Sequence, residues 1–138
     1  MRLWHYKLIP VLPNAMLVSQ WRECIAIKRQ WEKGTLKHRL VSYVMDYDRC
    51  YFLTYVNDVV CEMMNRNIKF DRNLYNELER FCEHCITDKL YKEHNDRYLK
   101  QCYYNLQEKY DRGIITDEEW EKFCEEEQVE DDETNYGW

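Results

Sequence analysis

The chain has 138 residues, 45% of them hydrophobic and 15% aromatic, which is enough for one compact domain with a real core. Three glycines and two prolines exclude a loop-rich or all-β fold, and no segment is apolar enough to span a bilayer. The formal charge of −6 argues against a nucleic-acid partner only until its distribution is read: residues 1–39 hold eight Lys/Arg against two acids, and Asp117 to the end holds eleven acids and one lysine.

Without that acidic end the balance is +4, so the body can face phosphates while the tail points elsewhere. A solvated surface with a disordered acidic end fits the same asymmetry equally well. Arg2 and Lys7 ahead of the apolar run Leu8 to Val18 imitate a secretory leader. Pro10, Pro13 and Asn14 break that run, and no small-residue cleavage site follows. The seven cysteines are therefore expected as reduced thiols in a cytoplasmic protein.

In chain order, Asn14 is predicted to cap a helix that runs to about Lys33, with Gly34 as its stop. Leu17, Trp21, Cys24 and Ile25 form its apolar line. Arg22, Ala26, Arg29 and Lys33 form a second, basic line at steps of four, three and four, and the small Ala26 lets a phosphate backbone come close. Residues 34–46 read as a loop. Phe52, Tyr55, Val56, Val59, Val60, Met63 and Met64 step by three and one, which predicts a core helix over about Tyr47 to Arg66. Asp71 caps a third helix with Leu74, Leu78, Phe81, Cys82 and Cys85 on one side. Thr87 caps a stretch with Leu90 and Tyr91 that either joins the next helix or breaks before it. That next helix carries Leu99, Cys102, Tyr103, Leu106 and Tyr110, and Gly113 ends it. Thr116 and Glu119 form a capping box for a short helix through Trp120 and Phe123. The sum is an all-α fold of three to four main helices, with an extended amino-terminal segment, a body over residues 1–116, and a short helix plus acidic tail over 117–138.

Cys82 and Cys85 form a C-x-x-C with His84 between them, the residue types that zinc uses. Both fall on the apolar line of a predicted helix, where buried free cysteines are common, so no metal is expected. A redox C-x-x-C needs a βα context that is absent. His5, His38 and His94 stand singly and read as structural. No Gly-rich phosphate loop is present, and no cofactor is expected. Most tyrosines and tryptophans sit at core spacings; Trp4, Tyr6 and Trp21 flank the basic surface, where an aromatic ring can stack on a base. Glu23 has Ala26 and Ile27 at i+3 and i+4 and hence no local helix ion pair. It is either a plain exposed glutamate or one held for another purpose. Met1-Arg2-Leu3-Trp4-His5 together with Trp21-Arg22-Glu23 offers a terminal amine beside an arginine, then an Arg-Glu pair on a helix. Such a set suits amine-based covalent chemistry on a sugar of damaged DNA.

On these residues the chain resembles the pyrimidine-dimer DNA glycosylases, the small phage-type endonuclease V family. The stretch Leu8 to Glu23 matches without a gap through Leu8, Leu12, Leu17 and the aromatic-Arg-Glu run Trp21-Arg22-Glu23. Asp48, Phe52-Leu53 and the Met63-rich helix are similar to the family's central helix. His94 followed by Leu106, Glu108 and Lys109 resembles its last helix with one inserted residue. The resemblance spans about residues 1–112, and the opening Met-Arg-Leu-Trp-His-Tyr-Lys-Leu-Ile-Pro is similar to a bacterial and phage branch.

The resemblance implies a DNA glycosylase and abasic-site lyase acting on double-stranded DNA that carries a lesion or abasic site. A terminal amine attacks the sugar C1′, displaces the base and forms an imine, and β-elimination then cuts the strand. A terminal amine has a reference pKa of about 7.7–8.0, which leaves a usable neutral fraction near neutral pH. By the resemblance Met1 supplies the amine and Glu23 stabilises the sugar cation and moves protons. Arg2 and Arg22 hold phosphates, and Lys109 sits on the same DNA face; Arg29 and Lys33 extend the basic line. The target nucleotide or its partner base must leave the stack. The sequence departs from the family at position 2, where bulky Arg2 favours retention of Met1, and at Ala26 and Asn105, where the family is basic. An acidic tail replaces its aromatic, lysine-rich end. Two other classes share these features: a non-catalytic DNA-binding relative, and a protein-interaction module that uses the acidic tail.

Overall fold

The amino-terminal segment is held down by its own apolar residues. Leu3, Trp4, Leu8, Ile9 and Leu12 are all buried, and residues 1–5 run without regular structure into a 3-10 helix over Tyr6–Val11. That turn, expected only as extended chain, starts where the His5 ring accepts a hydrogen bond from the Lys7 N–H. The computed structural model describes residues 1–125.

Helix α1 spans Asn14–Lys33 and ends as the sequence predicts. Gly34 takes the left-handed conformation (φ 73°) and donates to the Trp31 carbonyl, while the Thr35 N–H reaches the Gln30 carbonyl. Its start differs from expectation. Pro13 occupies the cap position and no side chain caps the helix. Asn14 is already helical, and its Oδ1 instead accepts from the Arg66 guanidinium at 2.9 Å. The same guanidinium donates to the Leu12 and Pro10 carbonyls at 2.6 and 2.9 Å, so it ties the turn before α1 to the end of the next helix.

Helix α2, Arg49–Asn65, is the centre of the molecule. Phe52, Leu53, Tyr55, Val56, Val59, Val60 and Met63 are buried against α1, the amino-terminal turn and α3. Met64, predicted for the same stripe, lies at its edge and is half exposed. The connection before α2 is not all loop: Ser42–Asp46 forms a 3-10 helix that buries Val44.

Helix α3, Arg72–Phe81, starts at Asp71, whose carboxylate accepts from the Asn73 and Leu74 N–H groups. It stops before Cys85, which was expected on its apolar line. Glu83 and His84 take positive φ (57° and 54°) and turn the chain back. Cys85 then lies on the surface and is disulfide-bonded to Cys50 in the first turn of α2. The expectation of reduced thiols throughout is therefore corrected; Cys24, Cys61, Cys82, Cys102 and Cys124 are free. The Thr87 stretch is not a helix either. The Thr87 N–H and carbonyl both bond the Thr54 hydroxyl of α2, which pins the segment in an open form.

Helix α4, Asp96–Asp111, is capped by Asn95 and buries Leu99, Cys102 and Leu106. After Gly113 (φ 78°), Thr116 and Glu119 exchange the two hydrogen bonds of a capping box, at 2.9 and 3.2 Å. Residues 117–125 are helical and Phe123 is fully buried, with Trp120 against Tyr103 and Tyr110 of α4. The fold is all-α, with no strand among the described residues. The rest of the acidic tail, 126–138, lies outside the described residues. Among the described residues no helix is long and apolar enough to cross a membrane.

Candidate active site

The first four residues form one wall of a cleft because side chains from three helices grip their backbone. Gln20 of α1 accepts from the Trp4 N–H at 2.8 Å and donates to the Arg2 carbonyl at 3.0 Å. Tyr98 of α4 donates to the Leu3 carbonyl at 2.6 Å, and Tyr55 of α2 donates to the Trp4 carbonyl at 2.6 Å. Chain termini usually fray; here the Arg2, Leu3 and Trp4 carbonyls and the Trp4 N–H are all bonded by buried or half-buried side chains.

The cleft has a volume of about 290 Å³. Met1, Arg2 and Trp4 line it from the amino-terminal segment, Glu23 from α1, and Asn105, Glu108 and Lys109 with Arg112 from α4 and its cap. The steps 105, 108, 109 and 112 put the last four on one helix face. The structure thus brings together Met1, Arg2, Glu23 and Lys109, four of the residues singled out from sequence. Arg22, Arg29 and Lys33 do not line the cleft; they lie exposed along the outer face of α1, with half-buried Ala26 among them.

Arg2, Lys109, Arg112 and the terminal amine face two carboxylates, so the cleft has a cationic excess. The Arg2 guanidinium lies over the Trp4 ring at 5.3 Å, and its Nη1 is buried with no hydrogen-bond partner among the described residues. Glu108 pairs with Arg112 at 3.9 Å at an exposed rim. Glu23 is half-buried; its Oε2 accepts from Gln20 Nε2 at 3.3 Å, and among the described residues no cation pairs with it. An amine, a carboxylate without a paired cation and further cations around one concave space can attack an electrophilic carbon and hold the charge that develops.

Sequence reasoning missed Arg112 and Gln20. Arg112 follows the last turn of α4 and carries no pattern of its own. Gln20 did leave a signal: a polar residue three positions from Leu17 and four from Cys24, on the buried face of α1.

Beneath the amino-terminal segment His5 and His94 are buried among Tyr6, Tyr43, Tyr55 and Tyr98. The Tyr43 hydroxyl is 2.7 Å from His94 Nε2. Burial, and then the neighbouring His5, lowers the His94 pKa to about 3, so this ring is neutral at physiological pH. Neither histidine lines the cleft, and the two rings, which read from sequence as standing singly, lie 5.5 Å apart. The Cys82/Cys85 pair does not converge on a metal, since Cys85 is bonded to Cys50.

A family model described as pyrimidine dimer DNA glycosylase matches residues 1–76, which include Met1, Arg2 and Glu23 but stop short of α4. No curated protein and no solved structure matches the chain.

Proposed function

Because the chain belongs to the pyrimidine dimer DNA glycosylase family, we propose that it is a DNA-repair glycosylase and abasic-site lyase that works through the α-amine of Met1. The neutral amine attacks C1′ of the damaged nucleotide. As the N–C1′ bond forms, the glycosidic bond breaks, and its electron pair leaves with the base, which takes up a proton. The amine nitrogen gives up a proton, the sugar ring opens with protonation of O4′, and an imine results. Loss of a C2′ proton then expels the 3′ phosphate and cuts the strand. Glu23 stabilises the cationic sugar and carries protons in these steps.

One observation carries this reading: Met1 and Glu23, 22 positions apart in sequence, line the same cleft. Arg2 and Lys109 share that cleft, which supports assigning them to the phosphates that flank the reacting sugar. The exposed line of Arg22, Arg29 and Lys33 extends the cationic surface along α1 for a duplex carrying a lesion or abasic site. An extruded nucleotide fits a concave site of this kind, and a damaged pair lowers the cost of extrusion.

The test is trapping with borohydride. Untagged protein whose amino terminus is verified as Met1 is incubated with a duplex bearing a thymine dimer or an abasic site. A covalent adduct that peptide mapping places on Met1 is the expected result. An adduct on abasic DNA alone keeps the lyase and removes dimer specificity. No adduct on either duplex, with the amine intact, rejects the covalent mechanism and leaves a DNA-binding relative.

A further inference from the structure

We propose that Gln20 is the positioning residue that sets the Met1 amine against the Glu23 carboxylate, an inference that rests on reading those two as the reacting pair. A residue that only filled the core at this place would be apolar, as Leu17, Cys24 and Ile27 on the same face are. Gln20 is 1% exposed, yet its amide oxygen and both protons of its amide nitrogen have partners. Oε1 accepts from the Trp4 N–H at 2.8 Å, and the Tyr55 hydroxyl, whose proton goes to the Trp4 carbonyl at 2.6 Å, lies 3.2 Å from it. Nε2 donates to the Arg2 carbonyl at 3.0 Å and to Glu23 Oε2 at 3.3 Å.

The chemistry fixes which way the amide points. A backbone N–H can only donate, so Oε1 faces Trp4; a carbonyl can only accept, so Nε2 faces Arg2. One rigid amide therefore holds the backbone one residue from the amine and, through the same nitrogen, orients the carboxylate one helical turn away. Tyr55 locks the arrangement from α2 by donating to the Trp4 carbonyl at 2.6 Å while its hydroxyl lies against Gln20 Oε1 at 3.2 Å. Gln20 reaches no open space of the cleft itself, so it acts through the two groups it holds. A displacement of about 1 Å between reacting groups costs on the order of a hundredfold in rate.

Two variants of the full chain with native amino terminus test this: Gln20→Met, which keeps length and loses the amide, and Gln20→Glu. Three quantities are read: thermal stability, affinity for a duplex with a tetrahydrofuran abasic analogue, and the single-turnover rate of borohydride trapping on a true abasic duplex. Gln20→Met is expected to lower the trapping rate about a hundredfold while affinity for the analogue shifts less than about twofold. In Gln20→Glu a protonated carboxyl still accepts from Trp4 and donates to Arg2, whereas the ionised form cannot donate and repels Glu23. Its rate relative to wild type is therefore expected to climb as pH falls through the titration of that carboxyl, with affinity unchanged. Folded Gln20→Met that traps at the wild-type rate overturns the proposal and leaves the Met1 chemistry standing. Rate and affinity falling by the same factor also overturns it, since that marks support of the fold alone. If Gln20→Met does not fold, a pH-independent ratio for Gln20→Glu overturns it. Wild-type protein that forms no adduct at all fails at the earlier step and removes the reacting pair itself.

Discussion

Glu23 differs from an ordinary helix-surface glutamate in having an amide donor 3.3 Å away and no paired cation among the described residues. Glu23→Gln keeps the shape and an acceptor for Gln20 but removes the charge and the proton-carrying capacity. Base release and strand scission in single turnover are expected to fall about 10²–10⁴-fold, with little change in affinity for a tetrahydrofuran duplex. Scission at the wild-type rate would remove Glu23 from the chemistry. His94 makes a different, structural prediction. Its pKa is about 3 in the folded protein, against 6.5 as the ordinary value the unfolded chain takes. The unfolded state thus binds more protons between these two values. The stabilisation is complete above pH 6.5 and declines as pH falls toward 3, with a slope of at most about 1.4 kcal/mol per pH unit. Urea unfolding of wild type and His94→Gln over that range should show the wild-type curve falling more steeply, because glutamine takes up no proton; parallel curves would reject the assignment. Single residues of the site were only partly legible in the sequence. The Arg-Glu pair and the terminal amine carry a recognisable pattern. Asn105 and Arg112 carry none, because the packing of Leu99, Cys102 and Leu106 decides which face of α4 meets the amino terminus.

Elements were legible where local chemistry decides them. The α2 stripe, the Gly34 stop and the Thr116–Glu119 capping box follow from periodicity, left-handed glycine and reciprocal hydrogen bonds. They were illegible where a distant partner decides. Asn14 serves Arg66 and not its own helix, and Thr87 bonds Thr54 and starts no helix. The end of α3 turns on Glu83 and His84 at positive φ, and Glu83 is a residue type that does not announce such a bend. The basic line of α1 was read correctly as one exposed face, and its role can be isolated because it lies outside the cleft. Each lysine or arginine that neutralises one phosphate contributes about 0.9 to the slope of log affinity against log salt. Arg29→Ala and Lys33→Ala are each expected to reduce that slope by about this amount and to weaken binding alike for undamaged and abasic duplexes. The trapping rate at saturating protein should stay the same. An unchanged slope would move the DNA path away from this face.

At the scale of the whole molecule, composition pointed two ways and the fold separates them. An odd count of seven cysteines reads as reduced thiols, yet Cys50 and Cys85, 35 positions apart, meet in a disulfide. Spacing alone cannot announce a pair that only the turn after α3 brings together. The net charge of −6 likewise hides a cationic cleft and a basic helix face. Testing the acidic end calls for a cut that spares the core. Removing residues 117–138 would strip fully buried Phe123 and the capping box with it; removing a buried phenylalanine alone costs about 3–5 kcal/mol. A cut after Glu125 leaves both in place. It deletes Glu126, Glu127, Glu130, Asp131, Asp132 and Glu133, and brings the formal charge from −6 to zero. Repulsion between those six carboxylates and a polyanionic duplex then disappears, so the truncated protein is expected to bind abasic DNA more tightly and to associate faster. The gain should be largest at low salt and shrink as the screening length falls to about 8 Å at physiological ionic strength. Equal affinity at every salt concentration would mean that the tail's charge does not reach the DNA. Weaker binding after the cut would give the tail a supporting part in recognition, the reverse of what its charge predicts.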